Sequence, residues 1–378
     1  MTVREGLNRA FDLFLRMLPH AGPTGLIAVG SPGRGSPVLV TGNYTLTLRR
    51  MRQALAGRDA WILSADSKGI NVWCAATGGH LTHHDVISVI RTSHLDARVD
   101  HRELILPQLA ATGVEGKKIT EATGWSAKWG PVRLEDLPAF LDRGQRVTRE
   151  QRRVPFPLRD RMEMALMWGF PMLLVGVPLF VLLGGPAVGL AVGLAIGAMV
   201  TSLFAALPRV KVIGRVRWAT FALWALGGFG LGAGVLWALG SAMAGSLSLV
   251  GLGSAIAMAI LGVDLAGTTP WYGSYINTFR NEARIELVEE RCTGSATCVL
   301  VCPRDVLLMN GPARKVDIVR PADCIQCGAC IVQCPQDALR FRYQDDRVVE
   351  AATIRSTRMN LLGRRTVPVG DHRVQGRP

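Results

Sequence analysis

The sequence predicts a multidomain chain with three folded parts: an α/β domain, an α-helical transmembrane bundle of four helices, and a small α+β domain built on cysteines. Three observations carry this. Residues 164–208 and 218–263 contain no charged residue, and each stretch is about twice the roughly 20 residues that one spanning helix needs. Seven of the eight cysteines fall between Cys292 and Cys334. From residue 36 to about 141, short apolar runs alternate with segments of helical period, the pattern of an α/β domain.

Composition agrees. The 378 residues are 49% hydrophobic with a mean hydropathy of +0.24, too apolar for an ordinary soluble protein, so a membrane part is required. The net charge of +14 raises the question of nucleic acid. The basic residues, however, lie in short loops beside the apolar runs and in the C-terminal tail, which suits the cytoplasmic face of a membrane and not nucleic acid. No charged segment followed by a short apolar run and a cleavage site opens the chain, so the first domain is expected in the cytoplasm.

Along the chain, residues 2–18 carry Leu7, Phe11, Phe14, Leu15 and Leu18 at helical spacing and predict an amphipathic helix. Residues 19–35 read as a Gly/Pro-rich connection without a phosphate-loop pattern. Buried strands are expected over 37–41, 60–64 and 103–106, and helices over 46–55, 82–92 and 115–123. Open sheets of this kind bind ligands at the carboxyl ends of their strands, where the loop bearing Cys74 would lie. The small residues after Trp73 can open a helix or a tight turn, and a thiol at a helix N-terminus sits in a field that favours the metal-binding thiolate. The alternative is a small buried hydrophobe. His80, His83 and His84 have the spacing of paired imidazoles on a helix face, but the preferred reading is a solvated polar face or an N-terminal helix turn.

Residues 143–161, rich in arginine and carrying Pro155 and Pro157, read as a linker arriving at a membrane surface. Four helices are expected near 164–183, 187–207, 218–240 and 247–264. Arg159 and Arg161, then Arg209, Lys211, Arg215 and Arg217, then Arg280 and Arg284 place the flanks and central loop in the cytoplasm by the positive-inside rule. Gly189, Gly193 and Gly197, and Gly228, Gly232 and Gly234, allow close helix approach. No charge lies between the helix ends, so the bundle reads as an anchor and not a pump.

Cys324-x2-Cys327-x2-Cys330-x3-Cys334-Pro335 has the spacing of a bacterial ferredoxin run. Disulfides do not suit a reducing compartment, which leaves zinc as the competitor. The earlier run, Cys292-x5-Cys298-x3-Cys302-Pro303, repeats the pattern with Ser295 in place of its second cysteine. By crossed ligation, Cys302, Cys324, Cys327 and Cys330 hold one [4Fe-4S] cluster. Cys292, Cys298 and Cys334 are left for a second, either [3Fe-4S] or a [4Fe-4S] cube completed by the Ser295 hydroxyl, water or an outside ligand; loss of that cluster is the alternative. The expected division is 1–145, an α/β domain; 146–162, a basic linker; 163–265, the helical bundle; 285–345, the cluster domain; and 346–378, a basic disordered tail.

The run Asn71-Val72-Trp73-Cys74-Ala75-Ala76 resembles the cap-helix motif Asn-Val/Ile-Trp-Cys-Ala-Ala/Ser-Gly-Lys of the corrinoid protein of microbial mercury methylation. That family is related to the corrinoid-binding domain of the corrinoid iron-sulfur protein of acetyl-CoA synthesis. Residues 40–47, 101–109 and 129–133 are similar as well. The resemblance implies a corrinoid-binding domain with Cys74 as the lower axial ligand to cobalt, and Asn43, Asn71, Val72, Trp73, Ala75, Ala76, Thr77 and Gly78 around the cofactor. Thr77 and Gly78 stand where the family has glycine and lysine. The cobalamin signature Asp-x-His-x-x-Gly is absent, so no histidine ligand comes from it. The cluster domain resembles the ferredoxin partner of that family, which carries extra terminal cysteines; residues 350–378 have none. The family is usually described with five spanning segments, against four here.

These readings imply a multi-pass protein of the inner, cytoplasmic membrane. It would pass a methyl group to Hg(II) or another soft acceptor, receive it from a methyl-donor corrinoid methyltransferase, and draw electrons from an upstream donor. Nucleic acid is not an expected partner. Fusion would raise the effective concentration of electron donor beside cobalt. The alternative is a non-catalytic, membrane-bound iron-sulfur electron-transfer protein.

Overall fold

The computed structural model describes residues 16, 18–207, 209–210, 216–264, 283–359 and 365–368. Most of the helix expected over 2–18 lies outside them. The chain forms two compact units, one of residues 19–154 and 267–378, the other of 1–18 and 155–266.

In the first unit, strands β1 (Gly25–Val29), β2 (Val38–Gly42), β3 (Ala60–Ala65), β4 (Glu103–Leu106) and β5 (Ser126–Trp129) form one sheet in the order β1-β3-β2-β4-β5. β1 runs antiparallel to β3 and the remaining pairs are parallel. Helices α1 (Thr45–Ala54), α2 (Val72–Gly78), α3 (His83–Thr92), α4 (Gly116–Thr123) and α5 (Leu137–Asp142) flank it. Successive strand residues point to opposite faces, and here both faces are buried. Val38, Val40, Leu63, Ala65, Leu104 and Leu106 pack on the α2, α3 and α4 side. Leu39, Ile62 and Ile105 pack under α1 and Phe140 of α5. That is why the central strands read as unbroken apolar runs.

The two edge strands were not expected from the sequence. β1 follows a Gly/Pro-rich stretch, and β5 is four residues long with the polar Ser126 and Lys128 in it. The apolar run Leu26 to Val29 is bracketed by Gly22, Pro23, Gly25, Gly30 and Pro32, which mark the stretch as a connection, and β5 has no apolar run at all.

Residues 146–154 are not a free linker. A short helix, α6 (Arg149–Arg152), is capped by Thr148 and Gln151. Arg149 Nε lies 2.6 Å from the buried Asp305, Arg152 Nη1 donates to Val299 O at 3.0 Å, and Val154 N donates to Pro303 O at 3.0 Å. The segment therefore straps the sheet domain to the cysteine domain.

The second unit contains α7 (Leu158–Gly184), α8 (Pro186–Ala206), α9 (Val216–Ala238) and α10 (Ala244–Asp264). All four are long and apolar enough to cross a membrane, by length and composition. Gly232 lies where an added Cβ would come within 2.5 Å of Val250 and 3.3 Å of the Ala191 carbonyl, whereas nothing approaches Gly234. Gly232→Leu is expected to destabilise the bundle by about 1–3 kcal/mol while Gly234→Ala is neutral or better, measured as helix loss on titrating detergent-solubilised protein with dodecyl sulfate.

The cysteine domain, part of the first unit, has a sheet of β6 (Ala283–Leu287), β9 (Leu339–Tyr343) and β10 (Val348–Val349), all antiparallel. A hairpin of β7 (Leu307–Asn310) and β8 (Lys315–Ile318) and the short helices α11 (Thr297–Leu300) and α12 (Ala329–Val332) complete it. The tail expected to be disordered from 346 is ordered at its start. β10 extends the sheet, α13 (Ala351–Ser356) buries Ile354, and β11 (Thr357–Met359) pairs with β12 (Arg365–Pro368). The buried Arg358 accounts for the difference: its Nη1 and Nη2 donate to carbonyls, among them Arg355 O at 2.9 Å and Gly113 O at 3.2 Å, which ties the start of the tail to the α/β domain.

Candidate functional site

β3 ends at Ala65, and residues 66–71 carry the chain over the carboxyl ends of the strands into α2. Asn43, just after β2, pins this turn. Its Oδ1 accepts from Ser67 N at 2.9 Å, Ser67 Oγ at 3.1 Å and Gly69 N at 3.0 Å, and its Nδ2 donates to Gly22 O at 3.3 Å. Gly69 has φ +68°, and a Cβ there would run into the backbone of His20 and Ala21.

Asn71 then caps α2, accepting from Cys74 N at 3.0 Å through Oδ1 and donating Nδ2 to Cys74 Sγ at 3.4 Å. The sulfur thus has an amide donor and lies in the first helical turn. Cys74, Asn71 and Gly78 are half-buried, while Val72, Trp73, Ala75, Ala76 and Thr77 are buried. Thr77 Oγ1 donates to Trp73 O at 2.8 Å. Of the residues expected around a cofactor, Asn43 is thus engaged in the turn beneath, five pack inward as the base of α2, and Asn71, Cys74 and Gly78 remain at the surface.

α2 rests on the turn Gln108–Thr112 that follows β4. Gly113 backs directly onto Ala76, whose carbonyl a Cβ would strike. The connection leaving β2 leads to β3 on one side, and the one leaving β4 leads to β5 on the other. Cys74 therefore sits at the switch point of the sheet, where open α/β folds bind ligands.

His83 opens α3 behind its Thr82–Asp85 capping box, so the reading as a first helical turn describes its place; its ring, however, is buried and not on a polar face. Nδ1 lies 3.7 Å from Glu115 Oε1, and the His84 ring is 4.2 Å away. Burial first, then the cationic neighbours His84, Lys118 and Arg358, pushes the His83 imidazole down from 6.5 to about 3. The unfolded chain takes up this proton at higher pH than the folded one, so stability is complete above 6.5 and falls as pH drops toward 3. At pH 5 the loss from this residue is about 2 kcal/mol. Urea unfolding at pH 7 and pH 5 is expected to show His83→Gln losing less stability between the two than the parent by that amount.

The seven remaining cysteines line two hollows. Cys302, Cys324, Cys327 and Cys330 line one, with Ile285, Val306 and Phe341. Cys292, Cys298 and Cys334 line the other, together with Ser295. Cysteines distant in sequence are brought together in the crossed pairing that the spacing predicts. Among the described residues, no three His, Cys, Asp or Glu converge as they would around a single ion. The thiols line each hollow, a donor set that fits an iron-sulfur cluster.

Residues 292–306 and 324–338 are related by a shift of 32, and equivalent positions share positive φ: Gly294 with Gln326, Ala296 with Gly328, Asp305 with Asp337. Val306 N and Ala338 N each donate to the sulfur four residues back, Cys302 and Cys334, at 3.3 Å. Burial and the neighbouring Cys334 and Cys292 push the Cys298 thiol up to about 12, burial pushes Cys324 up to about 12, and Cys330 stands well above its ordinary value. Such thiols stay protonated without metal at neutral pH, so metal binding must offset their deprotonation.

The residues that join the two cysteine environments were invisible in the sequence. Gln333 Nε2 donates to Ala111 O and Val114 O, both at 2.7 Å, and Oε1 accepts from Gly116 N at 3.2 Å, capping α4. Arg355 lies 3.4 Å from Glu115 and donates to Cys334 O at 2.8 Å. Each contact spans more than 200 residues or lies in the supposed tail, and no local pattern signals it.

Comparison with known proteins follows the same division. The profile of the CO dehydrogenase/acetyl-CoA synthase delta subunit family matches residues 16–141, and that of a 4Fe-4S dicluster domain matches residues 284–335. The acetyl-CoA decarbonylase/synthase complex subunit gamma of Methanopyrus kandleri is 37% identical over 127 residues, 33% of this chain and 27% of that protein. The same subunit of Archaeoglobus fulgidus is 31% identical over 121 residues, 32% and 25% respectively. That of Methanothermobacter thermautotrophicus is 31% identical over 145 residues, 38% and 30%. The chain spans about a quarter of the length of the first of these relatives. It is a multidomain protein with an α/β N-terminal domain similar to part of these subunits, four apolar helices and a C-terminal dicluster domain.

Proposed function

We propose that this is a membrane-anchored, corrinoid-dependent methyl-transfer protein whose fused dicluster domain reduces the cobalt, with Hg(II) or another soft acceptor receiving the methyl group. One observation carries the reading: the half-exposed Cys74 thiol, at the capped head of α2 on the sheet's switch point, shares a compact unit with two thiol-ringed hollows. The likeness to acetyl-CoA decarbonylase/synthase subunits supports a corrinoid there. When bound, a corrinoid supplies a cobalt that can carry a methyl group and release it to a soft acceptor.

The chain's own residues would do the rest. Cys74 would hold the cobalt through its sulfur, and Asn71 would keep that sulfur aimed. The buried Trp73, Ala75 and Ala76 would fix the position of α2 and so of the sulfur. Cys302, Cys324, Cys327 and Cys330 would hold a [4Fe-4S] cluster, and Cys292, Cys298 and Cys334 a [3Fe-4S] or, with Ser295, a [4Fe-4S] cluster. A separate methyl-donor methyltransferase and an upstream electron donor complete the cycle.

Four spanning helices in the inner membrane, with both flanking domains in the cytoplasm, suit this arrangement. The pieces before and after the helices pack into the same unit, which supports an even number of crossings. Gly78 in place of lysine and the lack of cysteine after Cys334 make mercury one candidate among soft acceptors.

The test is anaerobic purification of the full chain with metal analysis, followed by supply of a methyl donor and Hg(II). Co-purifying cobalt and methylmercury formation are expected. Retention of iron without any affinity for corrinoid would leave the electron-carrier reading in its place.

A further inference from the structure

The two cluster loops are equivalent in sequence and backbone, yet their surroundings differ. In the loop 324–330, Ile325, Gln326, Cys327, Gly328 and Ala329 are all buried. Ile325, Cys327 and Ala329 belong to the same apolar core as Trp73, Ala75, Ala110, Ala111 and Val114, the residues beneath and beside α2. In the equivalent loop 292–298, Thr293 and Ser295 are exposed and Gly294 and Ala296 are half-exposed. Cys292 and Cys298 pack in the cysteine domain's own core, as do Cys302, Cys324 and Cys330; Cys327 is the cysteine that joins the α/β core. One face of a near-symmetric pair has been built into the α/β domain, and the other left to solvent.

Resting on the proposed function, we infer that the cluster domain is polarised: electrons enter at the Ser295 site and leave from the four-cysteine site into the α/β domain toward Cys74. Each electron comes from a reduced low-potential donor protein, which is oxidised by one. It reduces the Ser295-side centre, passes to the four-cysteine centre, and leaves to lower the cobalt by one oxidation state. No bond forms or breaks, and no proton moves in these hops. The buried Cys327 belongs to the core beneath α2, so packed atoms and not solvent adjoin the outlet. The donor's docking ground is the exposed loop 293–297. Gln333, Arg355 and Arg358 keep the outlet face fixed against residues 108–116, so no docking step precedes the last hop.

The experiment uses the full, cluster-loaded chain in detergent without corrinoid. Iron content and electron paramagnetic resonance come first, with Ser295→Cys identifying the signal of the Ser295-side centre. A dysprosium chelate in solution is expected to speed relaxation of that signal and leave the other nearly unchanged. After mixing with a reduced bacterial ferredoxin, freeze-quenched samples are expected to show the Ser295-side centre reduced first. Equal relaxation of both signals, or earlier reduction of the four-cysteine centre, overturns the polarity and leaves the proposed function standing. Absence of iron overturns both.

Discussion

Cys74→Ala is expected to leave the fold intact and to remove the sulfur from cobalt. The side chain is half-buried and α2 stays capped, because the Asn71 Oδ1 bond is made to the backbone N of residue 74 and not to its sulfur. Loss of one small, partly exposed group costs about 1 kcal/mol or less, well short of unfolding. Corrinoid added to the variant should show an absorption spectrum typical of water or nothing on the lower face, and methyl transfer should fall by about a thousandfold or more if the sulfur supplies about 4 kcal/mol of the barrier reduction. An Asn71→Ala variant should fall between, since it keeps the thiol but strips its 3.4 Å amide donor and the helix cap.

Ser295→Cys is expected to give the second hollow a fourth thiolate. Ser295 lines that hollow with Cys292, Cys298 and Cys334, and its counterpart 32 residues on is Cys327. The parent should show, when oxidised, the half-integer-spin signal of a three-iron centre. The variant should lose the oxidised signal and gain iron toward eight atoms per chain, as two full cubes require. An unchanged signal and unchanged iron content would mean that residue 295 does not reach the metal.

The central strands, the four apolar helices and the cysteine grouping were legible because each is written locally. Val38 to Gly42 is buried on both faces, α7 to α10 carry no charge between residues 164 and 208 or between 218 and 263, and the cluster spacing is fixed by the reach of a thiol around a cube. The head of α2 was half legible: the small residues after Trp73 allowed a helix, but only the fold shows Asn71 on the Cys74 sulfur and Asn43 holding the turn beneath. What escaped was long-range. Gln333 reads as one more polar residue before Cys334, and Arg358 as part of a basic tail, until the fold sets them against Ala111 and Gly113. The edge strands escaped for local reasons: the apolar run of β1 is hidden among the glycines and prolines of residues 19–35, and β5, with Ser126 and Lys128 in it, carries too little apolar signal to stand out.

The account depends on sulfur, not nitrogen, beneath cobalt. Electron paramagnetic resonance of the full chain loaded with corrinoid and poised as Co(II) reads this directly, because 14N on the axis splits each cobalt line into three and 32S, having no nuclear spin, does not. Unsplit cobalt lines that shift on Cys74→Ala are the predicted result. A nitrogen triplet, or a spectrum indifferent to Cys74→Ala, would contradict it.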